Sequence, residues 1–265
     1  MLAKWILLVF LALPATAGAA AEPQPANGKL KVFILAGDGL MMGHGQLTGG
    51  RGTMEAYLES KPGEYGHLVN EDGSKVVRDD VWIVDLSNPD RQLGGWLTTG
   101  FGAPTKGPAP KDDSRFIGPE YGFGFAVGDA YQDPVLIIKC AWWYDKASLA
   151  HHFLSPSSAE YPQPEKDGDM GFRYAEVLRH VKEITGNLKT YFPSYSGQGF
   201  EIVGFGWHQG WHDRVAQPKV DAYEGNIVRF VKDMRKDLGI EGLPFVIANC
   251  GIGGWDLPAS YREKV

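Results

Sequence analysis

The chain has 265 residues, 43% of them hydrophobic and 22% charged, enough to bury a full core in one domain. Its net charge of −6 comes with no run of Lys or Arg. That argues against nucleic acid and anionic membranes as partners, because both are bound through clustered positive charge.

At the N-terminus, Lys4 precedes an apolar run from Trp5 to Leu13, followed by Pro14 and small residues through Ala21. This is the layout of a secretory signal peptide, and it is too short to span a bilayer. Residues 1–21 are therefore expected to be removed. What remains, 22–265, is expected to be an exported domain, periplasmic or secreted, with no membrane anchor.

The first strand is predicted from Lys31 to Leu35. Residues 44 to about 117 are rich in Gly, Pro and Asp and read as an insertion, which holds one further strand from Val81 to Leu86 and is expected to form a hairpin or loops over the strand ends. A helix from about Glu120 to Tyr131 leads into the strand Val135 to Cys140. The next helix covers Phe172 to Phe192, with Val177, Val181 and Ile184 on one face, and precedes the strand Glu201 to Trp207. A last helix, Ala222 to Leu238, carries Ile227, Val228, Val231 and Met234, and the strand Pro244 to Asn249 follows it. The strands are nearly continuous apolar runs, as expected of strands buried on both faces. Their alternation with helices predicts βαβ units and an α/β fold with a parallel sheet and helices on both faces. Cys140 and Cys250 each end an apolar run, and strands two places apart exceed the ~7 Å limit for a disulfide, so no bridge is expected.

In open α/β sheets, ligands sit at the carboxyl ends of the strands. After the first strand comes Gly37-Asp38-Gly39-Leu40, a glycine-rich turn able to present backbone N–H groups to an oxyanion. After the third core strand comes Gly206-Trp207-His208-Gln209-Gly210-Trp211-His212-Asp213, where the Gln209 amide can donate to a developing oxyanion without titrating. Trp142, Trp143, Tyr144 and Trp211 fall in predicted loops, where exposed aromatic faces suit sugar rings; Asp38 and His208 complete the candidate binding set. His208, His212 and Asp213 do not read as a metal site, since glycine interrupts the segment and no helix aligns the two rings. His151 and His152 read as a solvated pair, and Cys140 as a buried thiol with no base beside it.

These segments carry a resemblance. Val32 to Gly45, Gly118-Pro119-Glu120, Ala141 to Ser158 with its Pro156-Ser157-Ser158, and Trp207 to Asp213 resemble, in order, the sialate O-acetylesterase family of carbohydrate esterases. The likeness covers nearly the whole mature chain. It implies the flavodoxin-like SGNH-hydrolase fold and, in active members, removal of acetyl groups from sugar hydroxyls through a serine acyl-enzyme. It also implies an oxyanion role for Gln209 and an acetylated glycan or polysaccharide as partner, with no cofactor and no metal.

The departures are specific. Family members carry Gly-Asp-Ser-Leu or Ala-Gly-Gln-Ser-Asn-Met at the first turn, and both patterns place serine where this chain has Gly39. The family's Ala-Trp-Gly-Gly-Lys-Ser is replaced by Ala141-Trp142-Trp143-Tyr144-Asp145-Lys146-Ala147-Ser148, whose aromatics crowd the acetyl pocket. No His has an Asp three positions before it, so the family's Asp-x-x-His pair is missing. The chain stops at Val265, where the family continues into a fifth strand and the Asp-His loop, so the C-terminal part of the family domain reads as missing, either because the gene product is short or because this is a fragment. The expectation is a catalytically impaired member that binds O-acetylated carbohydrate, with Gly39 and Gln209 as the remaining oxyanion contributors. The alternatives are an active O-acetylesterase with a non-standard mechanism and a non-enzymatic structural protein.

Overall fold

β1 (Leu30–Gly37) ends in a single helical turn, α1 (Gly39–Met42). The segment after it holds β2 (Gly45–Gln46), α2 (Met54–Ser60), α3 (Pro62–Tyr65), β3 (Arg78–Asp85), β4 (Leu93–Leu97) and β5 (Phe116–Ile117). Then come α4 (Pro119–Ala130), β6 (Val135–Ala141), α5 (Phe172–Gly186), α6 (Leu188–Tyr191), β7 (Phe200–His208), α7 (Gln217–Leu238) and β8 (Phe245–Ile247). The computed structural model describes residues 28–87, 92–103, 115–142, 147–158 and 168–249. The expected signal peptide, Trp143, Tyr144 and Cys250 lie outside the described residues.

Six strands form one sheet in the order β4-β3-β6-β1-β7-β8, parallel throughout except where β4 runs antiparallel to β3. Side chains on β1 and β6 alternate between two cores. Leu30, Val32, Ile34, Leu136, Ile138 and Cys140 pack with α5 and α7 on one face; Phe33, Leu35, Val135 and Ile137 pack with α1, α2 and α4 on the other. Burial on both faces is why these strands read as unbroken apolar runs, and each buried Leu, Ile or Val contributes about 1.5–3 kcal/mol. The architecture is the α/β arrangement expected, a mostly parallel sheet between helices.

The stretch from 44 to 117 does more than cap the strand ends. β3 joins the central sheet beside β6 and carries β4 at its outer edge, while only the two-residue strands β2 and β5 form a separate antiparallel pair. The apolar run of β3 is long enough to be paired on both sides, and this overrides the loop-like composition around it.

The long helices follow the expected periodicity with two corrections. α5 buries Val177, Val181 and Ile184, but stops at Asn187, whose side chain turns back to the Glu183 carbonyl 3.0 Å away and so competes with continued helix. α7 buries Ile227, Phe230 and Met234, and leaves Val228 exposed. It ends on Gly239 at φ 72°, in the left-handed conformation that glycine adopts without a Cβ clash.

From β1 the chain moves to β3 and β6 on one side, and from β6 it crosses to β7 on the other. The order therefore reverses between β1 and β7, and their carboxyl ends flank the crevice where α/β proteins place ligands.

Candidate functional site

β1 and β7 approach unusually closely at this crevice. A Cβ on Gly37 would lie 2.0 Å from the His208 carbonyl oxygen, so only glycine fits. Beyond Gly37, the fully buried Asp38 caps α1 by accepting from the Leu40 N–H at 3.0 Å. Its other oxygen accepts from the N–H groups of Gly210 and Trp211 at 3.1 and 2.9 Å. One carboxylate thus bolts the turn after β1 to the turn after β7. Burial pushes its pKa up to about 6, against the pull of the three N–H donors. Asp38, expected as a ligand contact, is occupied inside the protein.

A second buried carboxylate joins β7 to the segment after β6. Asp213 accepts from the Ser148 hydroxyl at 2.8 Å, from the Leu149 and Ala150 N–H groups at 3.0 and 3.3 Å, and from the Gln209 amide at 2.5 Å. Burial raises its pKa, and the Gln209 and backbone donors oppose the rise. Gln209 directs the same amide nitrogen to the Ala147 carbonyl at 3.0 Å, and the residue is 1% exposed. Both amide hydrogens of the expected oxyanion donor are therefore taken up by internal bonds. The Tyr223 hydroxyl of α7 donates to the Gln209 carbonyl at 2.9 Å and holds the turn from the helix side.

Gly39, expected from sequence to stand where the family has its nucleophile, opens α1 and is buried. His208 is half-buried, and desolvation lowers its pKa by disfavouring the charged ring. Trp211 is partly exposed, and the Arg214 guanidinium sits 4.0 Å from its ring centroid. Trp142 departs from expectation. It is 2% exposed and packs against Phe153, His180 and Arg173, so its ring is a core element and not a sugar platform. The cause is the helix α5, which closes over the segment after β6. The same closure buries His151 and His152, read from sequence as solvated; their ring centroids lie 4.6 Å apart with the planes tilted by 49°. Among the described residues, no group of three His, Cys, Asp or Glu side chains is placed to hold a metal ion.

Two arrangements were not legible beforehand. Lys139 sits fully buried in β6 and donates to Glu120 at 2.7 Å and to the carbonyls of Met42 and Phe101 at 2.8 Å each. It fastens the end of α1 to the start of α4, beneath the crevice. A lone lysine within an apolar run was the available signal, because a buried ammonium requires a partner. Cys140 does have a histidine beside it: His180 Nδ1 lies 3.8 Å from the thiol sulfur. The pair is not a nucleophile and base. Arg179, always a donor, reaches His180 Nε2 at 2.7 Å, so in the neutral ring Nδ1 carries the hydrogen and cannot accept the thiol proton. Desolvation lowers the His180 pKa to about 4 and raises that of Cys140 well above the usual value.

The sequence matches, over residues 29–264, the model of a family described as carbohydrate esterase, sialic acid-specific acetylesterase. No curated protein matches it. Among solved structures, a protein of Arabidopsis thaliana aligns at 19% identity and TM-score 0.48, over 91% of this chain and 80% of that one. A carbohydrate acetylesterase of Xanthomonas citri, XAC1771, aligns at 15% and 0.48, over 88% of this chain and 46% of its own. NanS aligns at 11% and 0.47, over 88% and 71%. The family match spans the crevice and every strand that builds it, and on that ground the chain belongs to the sialic acid-specific acetylesterase family of carbohydrate esterases.

Proposed function

We propose that this protein is an exported, carbohydrate-binding member of its family that engages O-acetylated sugars at the β1–β7 crevice without turning them over by the serine route. The observation that carries the reading is the state of the nucleophile turn. Gly39 offers no hydroxyl, and the neighbouring donors of Leu40, Gly210 and Trp211 bond the Asp38 carboxylate. The Gln209 amide is likewise committed to Ala147 and Asp213. Acyl transfer requires an activated nucleophile and donors aimed at the oxyanion, and neither is provided by these groups. Trp211 remains partly exposed beside the crevice and supplies an aromatic face for a sugar ring.

The test is acetate release by the purified protein from a panel of O-acetylated sialic acids and acetylated polysaccharides, with binding followed in parallel by tryptophan fluorescence. Saturable binding with acetate release no faster than buffer is expected. Protein-dependent release would overturn the impairment and establish an active esterase; a spectrum unchanged across the panel would overturn the binding role.

A further inference from the structure

The turn from Gln209 to Arg214 leaves β7 and carries Trp211, partly exposed beside the crevice. Two carboxylates tie this turn to both walls. Asp38, at the end of β1, takes the N–H groups of Gly210 and Trp211 at 3.1 and 2.9 Å. Asp213, within the turn, takes the Ser148 hydroxyl and the Leu149 and Ala150 N–H groups of the segment after β6. Both acids are fully buried, and among the described residues neither forms an ion pair.

The ionisable groups on the neighbouring elements do not balance them. α1 carries none. Lys139 of β6 is committed to Glu120 and to the Met42 and Phe101 carbonyls. Arg214 is stacked on Trp211, and the Tyr223 hydroxyl of α7 is spent on the Gln209 carbonyl. Beyond Ala150, the His151 and His152 rings lie against each other. His212 is the remaining ionisable group of the turn, and burial disfavours charge on His208 before it. The charge that does act on Asp38 is that of Asp213, and it is repulsive.

A buried carboxylate without a cation holds a proton more tightly than a solvated one, so exposing it to water releases that proton. The N–H donors favour the ionised form, but burial outweighs them and pushes the Asp38 pKa from 3.8 up to about 6. Asp213 shifts in the same direction. A motion that exposes Asp38 is therefore indifferent to pH below about 3.8 and is favoured as pH rises towards 6, by up to about tenfold per pH unit.

We propose that this turn is a proton-controlled flap beside the crevice, seated while Asp38 and Asp213 hold their protons and loosened as they ionise. Because the flap carries Trp211, pH sets how firmly that ring is held there. The inference stands on the ties of the turn and does not depend on the carbohydrate reading.

Amide hydrogen exchange, followed by NMR on the isotope-labelled protein without ligand, tests it. After correction for the intrinsic pH dependence of exchange, the opening constant at Gly210 and Trp211 is expected to rise about tenfold or more from about pH 4.5 to about pH 7.5, and to exceed that of Ile34 and Ile138 in the core. Asp38→Asn, which cannot ionise, should remove most of the rise at these two amides, and Asp38→Glu should keep it; a thermal melt verifies that each variant is folded. If Asp38→Asn does not fold, the profiles of the unaltered protein and of Asp38→Glu decide. An opening constant that is flat or falls with pH would overturn the flap. So would exchange at Gly210 and Trp211 no faster than in the core, since only whole-domain unfolding would then expose the turn, or a rise that persists undiminished in folded Asp38→Asn.

Discussion

Lys139 and Glu120 meet under the crevice as opposite charges at 2.7 Å, whereas Asp38 and Asp213, at the crevice itself, carry the same charge and are held by hydrogen bonds alone. All four are essentially inaccessible to solvent. The first pair offsets desolvation by mutual attraction, so losing either partner strands a full charge. The second pair is stabilised by N–H, amide and hydroxyl donors, and burial drives the two acids towards the protonated form. A fold can thus tolerate buried charge in two ways, and in the second burial pushes the Asp38 pKa up to about 6.

The largest effect should come from breaking the charge-balanced pair. Lys139→Met is expected to cost about 3–5 kcal/mol in urea denaturation, because Glu120 is left buried and unpaired. Adding Glu120→Leu to that variant should recover most of the loss; no recovery would mean that the links from Lys139 to Met42 and Phe101, and not the charge balance, dominate.

The hydrogen-bonded side should reveal itself in pH dependence, with two opposed contributions. Asp38 binds its proton more tightly when folded, near pH 6 against 3.8, so its stabilisation is complete below about pH 3.8 and is lost as pH rises through 6. At about 1.4 kcal/mol per tenfold change in proton affinity, the loss is about 3 kcal/mol. His180 behaves in the opposite sense. Its pKa falls from 6.5 to about 4, so its stabilisation is present above pH 6.5 and is lost, by a similar amount, as pH falls through 4. The two slopes offset each other in the unaltered protein. Stability measured from pH 4 to 7 should therefore tilt towards neutral pH in Asp38→Asn and towards acid in His180→Gln; parallel profiles would disprove the assignment.

Asp213→Asn should cost less, about 2 kcal/mol, since one oxygen still accepts while the new amide faces donors that already point inward. An unchanged midpoint would mean that the turn rearranges freely. The smallest effect is expected at Cys140. Cys140→Ser should lower stability by about 1 kcal/mol, and the thiol should react with a maleimide only at the rate of unfolding, because it is buried beside a histidine that cannot take its proton. Rapid labelling of native Cys250→Ala protein, in which Cys140 is the remaining thiol, would overturn this burial.

Much of the site was legible because its signals are local. The glycine turn after β1 and the Gln-containing turn after β7 could be placed at strand ends from apolar periodicity alone, and the parallel sheet brings strand ends together. What each side chain does there was not legible. Trp142 and Trp211 both occupy loops after core strands; one is buried because α5 closes over it, and the other is partly exposed. Asp213 does not read as a metal ligand in the sequence, but nothing local showed that its four donors come from Gln209 and from a segment more than sixty residues away.

The sequence by itself determined the strand and helix alternation, the two turns that frame the crevice, the absence of a serine at position 39 and, through motif order, the family. These depend on hydrophobic period and residue identity, which are properties of short windows. Only the tertiary structure decided that Asp38 bridges the two turns, that the Gln209 amide points inward, that β3 and β4 extend the central sheet and that Arg214 rests on Trp211. Those outcomes depend on which distant backbone and side-chain groups burial brings within about 3 Å of one another, a quantity that no local pattern encodes.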